Sequence, residues 1–103
     1  MESVASIENS GFRICNSNGY LVSVRFSTHS YCERYGKGQI FSEMEEREVN
    51  SKNAEIAVID PNGNWVIDDI IEKLGLEVGS DGMVADYVTP DDISRIIGHV
   101  VAL

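Results

Sequence analysis

Alternation of apolar and polar positions is the clearest pattern in this chain. In Gly11-Phe12-Arg13-Ile14-Cys15, Phe12 and Ile14 fall on one face of a strand. Residues 20–27 carry the same period further: Tyr20, Val22, Val24 and Phe26 face a core, while Ser23, Arg25 and Ser27 face away. Asn18-Gly19 lies between the two runs and predicts a two-residue type I′ hairpin turn, which needs positive φ at both central positions. A second hairpin is predicted over residues 54–67. Ala54, Ile56 and Val58 share one face there, Glu55 marks the other, and residues 64–67 (Asn-Trp-Val-Ile) read as the return strand. Asp60-Pro61-Asn62-Gly63 closes it, with Pro61 setting φ for a type I turn and Gly63 free to take the left-handed position.

The period then changes. Ile93, Ile96, Ile97, Val100 and Val101 follow the i, i+3, i+4, i+7, i+8 stripe of an amphipathic helix. Its start is marked by Thr89 as N-cap, Pro90 at the first helical position, Asp92 at capping-box spacing, and Val88 with Ile93 as a hydrophobic staple. A shorter helix is predicted over residues 68–74, with Ile70, Ile71 and Leu74 inward and Gly75 as its stop. Residues 79–82 read as a turn or loop, and residues 1–10 as a loose lead-in or a frayed edge strand. The expected fold is a single α+β domain over residues 1–103. It has an antiparallel sheet of about four strands from two hairpins, one face covered by the C-terminal helix.

Residues 28–53 stand apart, because connections beyond about 12–15 residues are uncommon and often functional. Residues 39–49 can form a helix with Ile40 and Met44 along one side, while Glu43, Glu45, Glu46 and Glu48 make this element charged and solvated.

With 103 residues, 43% of them hydrophobic, the chain can build one core without staples. It has no apolar run of membrane-span length, and its start lacks the basic and apolar regions of a secretory signal; the expectation is a cytoplasmic protein that does not enter a membrane. Cys15 and Cys32 are then expected as reduced thiols. The net charge of −9 is unevenly spread: residues 1–53 hold seven acids and six bases, residues 54–103 ten acids and two bases. That sign excludes direct binding to nucleic-acid phosphates as the main activity. It also leaves two readings of the acidic half, solubility or complementarity to a basic partner.

Chemical motifs are few. His29, Cys32, Cys15 and His99 lack the paired spacing of a zinc site. Tyr35-Gly36-Lys37-Gly38 reads as a turn, since the rest of a phosphate loop is missing. Asp68-Asp69 and Asp91-Asp92 fall at helix starts, where carboxylates complement the macrodipole. No metal, cofactor or catalytic pair is expected. Tyr31, Tyr35 and Phe41 on the long connection suit either an interface anchor or closure over the sheet.

The stretch from Asn18 to Phe26, with Tyr31-Cys32 and Ala54-Glu55-Ile56-Ala57-Val58, resembles small uncharacterised proteins of tailed bacteriophages. The resemblance implies a phage or prophage origin and brings no catalytic residues. By analogy with small acidic phage proteins, it suggests an inhibitor of host defence of the anti-CRISPR or anti-restriction type. The first expectation is a non-enzymatic inhibitor or adaptor bound to a host protein with a basic surface. Its candidate contacts are Glu43, Glu45, Glu46, Asp68 and Asp69, with Tyr31 and Tyr35 as anchors. The alternative is a small-ligand or nucleotide-signal-binding domain, with a homo-oligomer possible and Arg25, Tyr31, Arg34 and Lys37 as contacts. An enzyme using Cys32 ranks last.

Overall fold

The computed structural model describes residues 2–7, 10–36 and 50–103. The element expected over residues 39–49, including Glu43, Glu45 and Glu46, lies outside them, as do Lys37 and Phe41. The described residues form an α+β fold with one antiparallel sheet and two helices. The strands are β1 (Ser3–Ser6), β2 (Gly11–Cys15), β3 (Leu21–Arg25), β4 (Ala54–Ile59), β5 (Gly79–Ser80) and β6 (Ala85–Val88). The helices are α1 (Ile67–Leu74) and α2 (Pro90–Val101). The sheet therefore has six strands, in the order β1-β2-β3-β4-β6-β5, rather than about four.

The two extra edges come from segments with weak alternation. Ser3–Ser6 pairs with β2 as an edge strand. Gly79 and Ser80, read as loop, pair with Asp86 and Ala85 instead. The expected return strand at residues 64–67 is shortened. Trp65 makes a single bridge to Ile59, Val66 N–H donates to the Val58 carbonyl at 2.9 Å, and Ile67 already begins α1.

Both expected turns form, and both are type I turns followed by a left-handed glycine. Gly63 (φ 87°) donates to the Asp60 carbonyl at 3.0 Å, as the Pro61 and Gly63 positions predict. At the first turn Gly19 (φ 89°) donates to the Asn16 carbonyl at 3.0 Å, and among the described non-glycine residues only Tyr87 has positive φ. The type I′ expectation is thus corrected, since Asn18 does not take the left-handed conformation. Its side chain is engaged instead. Oδ1 accepts from Tyr20 N–H at 3.1 Å, and Nδ2 donates to the Val100 carbonyl in the last turn of α2 at 2.9 Å, beside the bond that carbonyl accepts from Leu103 N–H. A Cβ on Gly19 would lie 3.0 Å from the Pro61 ring, so the two turns pack side by side.

The core lies between the helices and one sheet face. Val22, Val24, Ile56, Val58, Ala85 and Val88 meet Ile67, Ile70, Ile96 and Val100 there. Full burial of each Ile or Val side chain contributes about 1.5–3 kcal/mol. Ile71, Leu74, Ile93 and Ile97 pack half-buried around it, as the helical stripes predict, but Val101 turns outward to solvent. Gly75 ends α1 in the left-handed conformation (φ 65°), and Thr89 Oγ1 accepts from Asp92 N–H at 3.4 Å to start α2. The Asp92 carboxylate is directed at Arg95 (3.6 Å). Among the described residues no helix is long and apolar enough to cross a membrane.

The Asn18 link gives a first test. Asn18→Ala removes the donor that reaches α2 and the acceptor for Tyr20 N–H within the hairpin, and should lower the unfolding free energy in urea by about 1–2 kcal/mol. Ser17→Ala, next to it and exposed, should change it by less than about 0.5 kcal/mol.

Candidate ligand groove on the open sheet face

Because the even-numbered residues of β3 and β4 fill the core, their odd-numbered residues line the opposite face. The register sets Arg13 beside Ser23 and Ala57 in one row across β2, β3 and β4. The next row holds Cys15, Leu21 and Ile59, and the row on the other side holds Gly11, Arg25 and Glu55. Trp65, bridged to Ile59, stands at one end with 44% of its surface exposed. With Val84 and Trp65, the outward side chains of β3 and β4 and Arg13 of β2 surround a half-open groove of about 220 Å³. Its floor is apolar (Leu21, Ala57, Ile59) and its rim carries two arginines.

Gly11 shapes this face. A Cβ there would run into the main-chain carbonyl of Val24, so β2 approaches β3 closely and presents no side chain opposite Arg25. Arg13 and Arg25 are diagonal neighbours, about 7–8 Å apart. Neither makes a hydrogen bond or ion pair with another described residue. Glu55 lies directly across from Arg25, but its carboxylate accepts from Tyr31 N–H at 2.9 Å.

That bond ties the loop after β3 to the groove's end. Within the loop the Tyr31 and Tyr35 rings pack at 5.1 Å between centroids, and both are exposed. Tyr31 also accepts from Tyr87 N–H at 2.9 Å. Tyr87 sits at the register shift between β4 and β6 with φ 52°, a left-handed conformation that costs a non-glycine residue about 1–3 kcal/mol.

The expected contact residues are thus placed apart. Asp68 and Asp69 lie in the first turn of α1, where no side chain caps the helix, and Asp68 accepts a hydrogen bond from Ser80. Tyr31 and Tyr35 belong to the loop at the Glu55 end of the sheet. Of the residues expected for a small ligand, Arg25 lines the groove, and Arg34 does not. Arg34 is buried and donates to the Phe26 carbonyl at 3.0 Å, stabilising the loop. Arg13, Ser23 and Trp65 complete the groove and were missed as a set. The outward phase of Ser23 and Arg25 was the signal, and carrying it across to β2 would have reached Arg13. Cys32 is buried, its thiol facing the Ser27 carbonyl at 3.6 Å, and both cysteines are free. No group of three His, Cys, Asp or Glu side chains among the described residues can hold a metal ion.

Among the described residues three carboxyl groups have perturbed acidity. Backbone and side-chain hydrogen bonds from Asn64, with a backbone bond from Asn62, lower Asp60. Backbone bonds from Val84 and Met83 lower Asp81. Burial, helped by the Asp81 charge, raises Asp86, whose Oδ1 is buried with no hydrogen-bond partner.

No protein-family model matches the chain, and no curated protein and no solved structure matches it.

The acidity of Asp86 gives a second test. Its folded pKa lies above the ordinary 3.8, so between those values the folded state binds more protons than the unfolded, and stability falls as pH rises. Asp60 and Asp81 act oppositely, contributing stability above the ordinary value that is lost as pH falls through their lowered values. Asp86→Asn should therefore melt at a higher temperature than the parent at pH 7, and the gap should close as pH falls toward 4. Thermal unfolding at several pH values measures it. A gap that is constant with pH would show that the charge of Asp86 is not the cause.

Proposed function

We propose that the protein is a non-enzymatic binding protein that docks its acidic helical layer onto a basic surface of a partner protein. A phage-type origin would direct it at host machinery that handles nucleic acid, as an inhibitor or adaptor. The observation that carries this reading is the separation of charge between the two sides of the sheet. The helices take Asp68, Asp69 and Glu72 on α1 and Asp91 and Asp92 on α2, against the basic side chains Lys73, Arg95 and His99. Both helices pack on the same sheet face and on each other, and Arg95 Nη2 donates to the Leu74 carbonyl at 2.9 Å, so these acids share one layer. Local repulsion among like charges is tolerated when a partner of opposite sign compensates it, and such a field also speeds association.

Asp69, Glu72 and Asp91 are exposed and hold no strand or turn in place, which makes them suitable for charge reversal. A tagged chain should retain a host protein from lysate at low salt and release it as salt rises. The triple variant Asp69→Lys, Glu72→Lys, Asp91→Lys should lose about 90% or more of the retained protein, a drop equivalent to at least 1.4 kcal/mol. Retention that is unchanged by the triple reversal would remove the acidic layer from the interface.

A further inference from the structure

Among the described residues the opposite face of the sheet is left uncovered by the helical layer, and that face has the reverse chemistry. We propose that the open-face groove binds a small phosphorylated molecule with a planar ring, of the nucleoside monophosphate class. This site is separate from the acidic layer and does not depend on it.

The anion-binding part is the arginine pair. In a chain of net charge −9, uncommitted arginines would be drawn to the many carboxylates around them, yet Arg13 and Arg25 pair with none among the described residues. Their diagonal spacing of about 7–8 Å lets two guanidinium forks converge on one group from two sides. Gly11 puts no side chain opposite Arg25, and Ser23, beside Arg13 in the same row, adds a hydroxyl donor. A phosphate monoester carries about −1.5 to −2 charges at neutral pH, which matches two guanidiniums better than a single carboxylate does.

The rest of the groove matches the rest of such a molecule. Leu21 and Ile59 form an apolar floor, with Trp65 standing beside Ile59 as a face on which a ring can stack. Glu55 keeps acceptor capacity beyond its bond from Tyr31, and a ring N–H or a sugar hydroxyl can fill it. Its negative charge leaves the groove able to neutralise one phosphate and disfavours di- and triphosphates. A volume of about 220 Å³ is below the range of about 300–1,000 Å³ typical of drug-sized sites and the groove is half-open, so it covers the phosphate and part of a nucleoside and leaves the remainder at its mouth. A nucleic-acid strand is disfavoured further by the overall negative charge, which repels each additional phosphate.

Trp65 is the single tryptophan of the chain, so its emission reports directly on the groove. The full-length protein at low salt would be titrated with purine and pyrimidine nucleoside monophosphates, with adenosine, with inorganic phosphate and with benzoate. At least one nucleoside monophosphate should give a saturable change, with affinity about tenfold or more above adenosine and above phosphate. Arg13→Ala and Arg25→Ala should each weaken that binding about tenfold or more while leaving the melting temperature unchanged. Arg95→Ala, on the helical layer, should leave binding unchanged. Calorimetric titration of the same variants provides a readout that does not rely on tryptophan. The proposal is overturned by the absence of a saturable response at millimolar monophosphate, by equal affinity for adenosine, by preference for benzoate, or by binding that persists when both arginines are replaced. None of these outcomes bears on retention of a partner by the acidic layer.

Discussion

The structure depends on how the hydrogen-bonding edge of β4 is shared. Ile56 and Val58 are fully buried, so the main-chain groups of β4 must find partners within the protein. One edge pairs with β3 along its whole length. The other is divided: Ala54 and Ile56 pair with β6, while Val58, Ile59 and Asp60 are served by residues 64–66 returning from the second turn. This division ends the return segment after Val66 and starts α1 at Ile67, on the core side. It also requires β6 to enter the sheet beside the first half of β4. The register shift near Asp86 and Tyr87 is where β6 adjusts to that position.

Features set by neighbouring residues were legible in the sequence. Pro61 with Gly63 and Gly75 specify their turn and helix end through φ, and Thr89 with Pro90 through a capping side chain and φ, without help from distant residues. The pieces that depend on β4 were not legible. Residues 64–67 have good strand formers, yet how many of them pair is decided by where β6 arrives. Gly79 and Ser80 have little β preference of their own and become a strand through β6. In β6 the shift breaks the two-residue period, with Ala85 and Val88 both buried. Asn18-Gly19 correctly marked a hairpin but misled about its type, because the Asn18 side chain is held by a carbonyl 82 residues away.

The groove illustrates the same limit. The outward phase of Ser23 and Arg25 could be read from one strand, whereas grouping Arg13, Arg25 and Trp65 requires the pairing of β2 with β3 and the bridge from β4 to residue 65. Arg34 is the opposite case. In the sequence it resembles an exposed loop cation, and in the fold its guanidinium is buried against the Phe26 carbonyl. The result is a sheet with two unlike sides. One is covered by short helices carrying five carboxylates, and the other, open among the described residues, has arginines and a tryptophan around an apolar floor.

The bond from Asn18 to Val100 has a consequence for the order of folding. The first hairpin closes over a few residues and can form within microseconds. The Asn18 bond joins positions 82 residues apart, so it forms only after β4, β6 and α2 have assembled. An interaction completed after the rate-limiting step acts mainly on unfolding, so Asn18→Ala is expected to raise the unfolding rate more than it lowers the folding rate. Asn18 thus acts as a kinetic latch that holds the finished sheet against its last helix.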